Sequence, residues 1–241
     1  MLFFDTLGFL TRLAPARVIS EEDMNKCMRY MAPVGALLGA VVVLPFALGL
    51  LNTAPWVQAW LMVGLSIILT RGLHLDGLAD ICDAVTTHTD PTLFWKVVKD
   101  SRSGAFGVIG LIMALGGEVI LFHEMARVEA YPAIIWAFIL GRSGAVWLGY
   151  HVRHLVRSGL GKLYIDGATL GVALATALFS FVAGIVLVGL TGAIAGTIVV
   201  SLALLALYRL AVKVEGANGD FLGCAVIVGE IAAGIGFVLT M

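Results

Sequence analysis

The sequence predicts an all-α, polytopic integral membrane protein forming one domain over residues 1–241, and three observations carry the prediction. Hydrophobic residues make up 60% of the chain and charged residues only 13%, whereas soluble domains carry roughly 25% charged residues. Apolar runs near the ~20 residues that a membrane-crossing helix needs recur along the whole chain. No internal repeat or low-complexity linker divides them. The net charge of −1 offers no basic surface for nucleic acid. Cys27, Cys82 and Cys224 show no ligand spacing and read as apolar fillers. No basic start or cleavage site precedes the first apolar run, so no removable signal peptide is expected.

Residues 2–13 mix Leu2, Phe3, Phe4, Leu7, Phe9, Leu10 and Leu13 with Asp5, Thr11 and Arg12. That segment is too short and too charged to span, and it reads as an interfacial amphipathic helix ending near Pro15. Ser20-Glu21-Glu22-Asp23 reads as a helix start, with Ser20 as N-cap and acids in the first turn. About seven spans follow, near 33–51, 56–73, 105–123, 132–150, 168–188, 192–212 and 221–240. The Gly35 to Gly39 spacing lets one helix approach another closely.

Basic residues set the expected orientation. Arg12, Arg17, Lys26 and Arg29 precede the first span. Arg71, Lys96, Lys99 and Arg102 lie between the second and third, Arg153, Arg157 and Lys162 between the fourth and fifth, and Arg209 and Lys213 before the last. The opposite side holds only Arg127, and Arg142 falls inside a span. The positive-inside rule therefore places the N-terminus and the 74–104 connection in the cytoplasm.

That connection opens with the most unusual stretch, His74-Leu75-Asp76-Gly77-Leu78-Ala79-Asp80-Ile81-Cys82-Asp83. On a helix Asp80 sits about 40° from Asp76 on one side and Asp83 about 20° on the other. Three like charges on one face repel unless a cation lies between them. Hard oxygen ligands suit Mg²⁺ or Mn²⁺, which also bind substrate phosphates. A solvated acidic turn is the plainer alternative. Downstream, Asp100 is a candidate fourth ligand, Lys96, Lys99 and Arg102 are candidates for phosphate charge, and Gly104 and Gly107 permit close backbone approach to a ligand. For the lysines, ordinary juxtamembrane charge is an equal reading. Arg142, mid-span, costs about 2.5–3.5 kcal/mol on insertion scales and is a functional candidate, with an ion pair to a neighbouring acid as its plainer role. Glu230, inside the last span, is one possible partner. His151 and His154 read as a hydrated helix end, and Asp220 as a cap or a ligand contact.

HLDGLADICDA, KDSRSGAFG, FLTRLAPAR, GLGK and NGDFLG with Glu230 together resemble the cobalamin (5′-phosphate) synthase family, over nearly the whole chain and in order. The family usually has Gly where Ala84 stands, Thr where Asn218 stands, and often an acid where Ile227 stands. The resemblance implies an inner-membrane enzyme of bacteria or archaea, its site facing the cytoplasm. Such an enzyme transfers adenosylcobinamide phosphate from adenosylcobinamide-GDP to α-ribazole or its 5′-phosphate, with Mg²⁺. On that reading Asp76, Asp80, Asp83 and Asp100 hold metal, and Arg102 and Arg142 stabilise phosphate oxygens. A carboxylate, or secondarily His74, takes the acceptor's proton. Arg12, Lys96, Lys99, Ser101, Gly104, Asn218 and Asp220 contact substrate. The lipid bilayer is a further partner, and a homo-oligomer stays open. A CDP-alcohol phosphotransferase and an ion-coupled transporter are the rival classes. Relay acids would be spread through the membrane depth, whereas these cluster at one edge.

Overall fold

Each of the seven apolar stretches is helical in the computed structural model, which describes residues 1–87 and 90–241. Helix α1 (Leu2–Leu10) turns Asp5, Leu7 and Leu10 inward, so this segment packs on the protein as well as being amphipathic. Helix α2 (Glu21–Cys27) starts as its sequence predicts, with the Ser20 hydroxyl accepting from the Asp23 amide at 3.1 Å. It runs through one 3₁₀ turn into α3 (Met31–Ala47). Helices α4 (Pro55–Thr70), α5 (Leu73–Val85), α6 (Pro91–Val98), α7 (Ala105–Arg127), α8 (Tyr131–Val152) and α9 (Leu160–Gly167) follow.

The fifth and sixth apolar stretches share one helical run, α10 (Leu170–Lys213), broken at Gly189. Its φ of 75° and ψ of 171° suit only a residue without a Cβ. The chain reverses there. A methyl placed on Gly184 would come within 3.0 Å of the Ala193 side chain, whereas a straight helix would hold these residues ~13 Å apart. Counting α10 once, five helices among the described residues are long and apolar enough to cross a membrane, or six if α4 and α5 count as one bent span. The last helix is α11 (Gly219–Val238).

Burial separates the centre from the rim. The most apolar part of α8 is 83% buried and that of α11 is 72%, against 22% for α7 and for α10. So α8 and α11 form the axis, and α7 and α10 face the bilayer. Apolar burial gives helices little reason to associate in lipid, so close packing through small residues must do it. A Cβ on Gly35 would meet the Phe138 carbonyl at 2.5 Å, and one on Gly39 would meet the Ile135 backbone at 3.0 Å. The predicted small-residue face of α3 is thus the one that seats α8. Trp136 of α8 fills the fork of α10, its indole N–H donating to the Ser180 carbonyl at 3.0 Å.

The two ends of the bundle differ. At one end lie short connections, where Gln58 Nε2 donates to the Leu50 carbonyl and the Tyr131 hydroxyl bonds to Gln58. At the other end the longer connections interlock. The Arg12 amide donates to the Leu69 carbonyl, the Trp95 indole to the Val214 carbonyl, and the 155–157 and 217 backbones pair. That second end carries the acidic stretch.

Candidate functional site

Two consecutive left-handed residues, Arg71 (φ 59°) and Gly72 (φ 67°), turn the chain by 95° between α4 and α5. Arg71 secures the corner, its guanidinium donating to the backbone carbonyls of Gly8 and Phe9. Helix α5 therefore lies off the end of the α4 span, across the interlocked connections. Its apolar side, Leu78, Ile81 and Ala84, is buried.

The three aspartates do not serve one purpose. The Asp83 carboxylate accepts the backbone amides of Gly104 at 2.6 Å and Gly107 at 2.7 Å. It caps the N-terminus of α7 from another helix, where unpaired amides and the helix dipole favour an anion. The two glycines do admit a close ligand as their sequence suggests, but that ligand is Asp83. A Cβ on Gly104 would lie 2.5 Å from its oxygen.

Asp76 and Asp80 face a fourth acid instead. Gly77 packs on the start of α11, where a Cβ would stand 2.8 Å from both the Cα and the carbonyl oxygen of Asp220. Gly223 returns the contact, 3.2 Å from the His74 carbonyl by the same measure. Neither helix could approach so closely with a side chain at these positions. The result places Asp220 among the acids of α5. Burial, with the nearby charges of Asp220, Asp76 and Asp83, pushes the Asp80 carboxyl up to about 6. Asn218 sets Asp220, accepting its amide at 3.2 Å and donating to its carboxylate at 2.6 Å. The sequence reading treats Asp220 as a cap or a substrate contact. The signal for its acidic role is the Asp-x-x-Gly order in NGDFLG set against the Asp-Gly of HLDG.

Asp76, Asp220 and His74 line a cleft of about 210 Å³ between α1, α5, α9 and α11, walled by Leu10 and Tyr164. Phe9 and Tyr164 are stacked here, their ring centroids 5.1 Å apart. The GLGK turn reaches the cleft through Gly161, which lies against the Asn218–Gly219 backbone.

The other candidate residues stand apart from this acidic face. Asp100 is not drawn into the acidic face. Arg102 takes both of its oxygens, at 3.0 and 2.7 Å, and holds its carboxyl down at about 2. Arg102 itself is exposed. Lys96, Lys99, Ser101 and Arg12 are exposed as well, and none is paired with an acid of α5. Arg142 is buried among α3, α8 and α11 and is ion-paired with Glu230. It lines a small internal space with Glu118, Ser66, Thr70 and His74 rather than the cleft. Its observed role is the plainer one, because a mid-span cation is held by the nearest buried acid. His74 is buried between that space and the cleft, on the side of α5 away from Asp80.

Among the described residues, no three His, Cys, Asp or Glu side chains converge tightly enough to enclose an ion. The donor set still suits Mg²⁺, which keeps several waters and binds through one or two carboxylates plus substrate phosphates. Asp76, Asp80 and Asp220 supply hard oxygens, and among the described residues no base is ion-paired with them.

A profile of the cobalamin-5-phosphate synthase family matches residues 2–238. An adenosylcobinamide-GDP ribazoletransferase of Nitratidesulfovibrio vulgaris (strain DSM 19637 / Miyazaki F) is 41% identical over 232 residues, 96% of this chain and 92% of that protein. Proteins of the same name from Klebsiella pneumoniae (strain 342) and Geotalea daltonii are each 33% identical. They cover 95% and 88% of this chain, and 96% and 85% of their own lengths. No solved structure matches the chain.

Proposed function

The chain belongs to the cobalamin-5-phosphate synthase family, and from that premise we infer how its acidic face performs the family's transfer. The enzyme joins cobinamide to ribazole. Adenosylcobinamide-GDP is the donor, and α-ribazole or its 5′-phosphate is the acceptor. The acceptor hydroxyl oxygen bonds to the phosphorus carried by cobinamide. The bond from that phosphorus to the GMP oxygen breaks, and GMP leaves. The product is adenosylcobalamin or its 5′-phosphate.

The observation that carries the site assignment is the Gly77–Asp220 contact. It gathers acids from two distant motifs at the rim of one cleft. Asp76, Asp80 and Asp220 would hold Mg²⁺, which neutralises pyrophosphate charge when bound. Asp83 holds α5 and α7 in register, so the acids keep their spacing. A carboxylate of the trio left free by the ion takes the acceptor's proton, and the raised Asp80 group is suited to that by its near-neutral titration. His74, buried beside Arg142, is assigned a positioning role in place of the proton transfer. The cleft's apolar wall excludes water from the phosphoryl group under attack.

The acidic face is assigned to the cytoplasmic side of a bacterial or archaeal cytoplasmic membrane. In support, the basic residues gather at that end of the bundle and only Arg127 lies at the other. The deciding experiment is GMP release by purified protein given adenosylcobinamide-GDP, α-ribazole and Mg²⁺. Release should need both substrates and stop with a chelator. Undiminished release after chelation would remove the metal from this reading. Release without ribazole would make the protein a hydrolase.

A further inference from the structure

On the bilayer side of the bundle, away from the acidic cleft, a groove of about 500 Å³ opens between α3 and the first arm of α10. Its mouth lies at the end that carries the interlocked connections. Arg29 and Thr169 stand there, and Pro33, Val172, Thr176 and Phe179 line it. From Thr169 to Phe179 the groove descends about 15 Å along the helix, roughly half the hydrocarbon thickness of a bilayer.

Three features set this groove apart from an ordinary lipid-facing surface. Arg29 is exposed at the mouth and forms no salt bridge with any described acid, although Lys26, one turn before it, is paired with Glu22 and Asp23. Thr176 is only 4% exposed, yet it lines the groove as a polar group on an otherwise apolar wall. Gly171 and Ala175 also leave room along the wall that larger residues would fill. A free cation above a one-leaflet apolar slot complements a molecule with an anionic head and an acyl chain. Anionic lipid is drawn to juxtamembrane Lys and Arg on the cytoplasmic face.

We propose that this groove is a binding site for one anionic phospholipid, its phosphate against Arg29 and its chain along Val172, Thr176 and Phe179. The site is separate from the acidic cleft and takes no part in the transfer.

The test is native mass spectrometry of the detergent-purified protein, titrated with phosphatidylglycerol or with phosphatidylcholine of the same chains. The first phosphatidylglycerol should bind more tightly than phosphatidylcholine. Arg29→Gln should weaken it about fivefold while leaving phosphatidylcholine unchanged. Ala175→Trp, which fills the slot from an exposed position, should remove the tight event for both. Equal binding of the two lipids, or binding unaffected by both variants, overturns the proposal. Loss of phosphatidylglycerol to millimolar inorganic phosphate would assign the site to a soluble anion and overturn it too. So would a dimer peak that Ala175→Trp abolishes, because the groove would then seat a second copy of the chain.

Discussion

Replacing Asp80 with Asn tests the acidic face most directly, because it changes charge while keeping size. The Asp80 carboxyl titrates at about 6 in the folded protein against 3.8 for the free side chain. The folded state thus binds this proton more tightly than the unfolded state. The penalty of keeping Asp80 ionised is full above about pH 6 and disappears as pH falls towards 4. The shift alone corresponds to about 3 kcal/mol at 1.36 kcal/mol per pK unit, but Asp80 is half-exposed and solvent screening brings this nearer ~1 kcal/mol. Metal-free wild type should therefore melt a few degrees higher at pH 5 than at pH 7.5. Metal-free Asp80→Asn should be the more stable protein at pH 7.5 and should show a flatter pH profile. Mg²⁺ should raise the wild-type melting temperature at pH 7.5 more than the variant's, since it relieves the same repulsion. Turnover of the variant should fall about a hundredfold or more, the scale of losing one major electrostatic stabiliser. Thermal melts and GMP release on the same sample, with Mg²⁺ titrated, supply every quantity. Full turnover with an unchanged Mg²⁺ requirement would refute the reasoning. A variant that no longer folds would instead make Asp80 structural.

Three further outcomes follow from the geometry. Arg142→Lys keeps the buried charge beside Glu230 and should retain near-wild-type turnover, whereas Arg142→Met, which leaves Glu230 unpaired, should cost about 3–5 kcal/mol of stability; a large turnover loss in a well-folded Arg142→Lys protein would return Arg142 to the phosphate. Gly77→Val forces α5 from α11 and should abolish turnover while the protein still inserts, and wild-type turnover in that variant would detach Asp220 from the site. Single cysteines at residues 52–55 should react with an impermeant reagent on intact cells while cysteines within 90–104 should not, and external labelling of 90–104 would reverse the proposed orientation.

Much of this architecture is legible in the sequence because membrane helices announce themselves by length and apolarity. The Ser20 cap, the Gly35–Gly39 packing face and the acidic stretch were all readable from local spacing. What could not be read were partners brought together by folding. Nothing around Asp83 says that its carboxylate is claimed by amides beyond residue 100. Nothing local to Asp100 distinguishes a metal ligand from a partner of Arg102. The reversal at Gly189 was legible as the gap between the 168–188 and 192–212 spans, but not that a single glycine makes the turn within one helical run. Asp220 is the instructive case. Its position reads as a cap, but Asn218 supplies that cap, and only the tight approach of Gly77 adds Asp220 to the acids.

The hairpin at Gly189 also bears on how material passes through this enzyme. With the two arms of α10 joined by a single residue, and residues 48–54 and 128–130 as the other connections at that end, the described connections of the far face are all short, and the acidic cleft lies at the opposite end. If the acidic cleft is the site, donor, acceptor, GMP and corrinoid product all enter and leave through the compartment it faces. In sealed vesicles activity should be latent in whichever orientation hides that face, and should appear only when the membrane is permeabilised or inverted. Each substrate must be made, or imported, on the side where it is consumed.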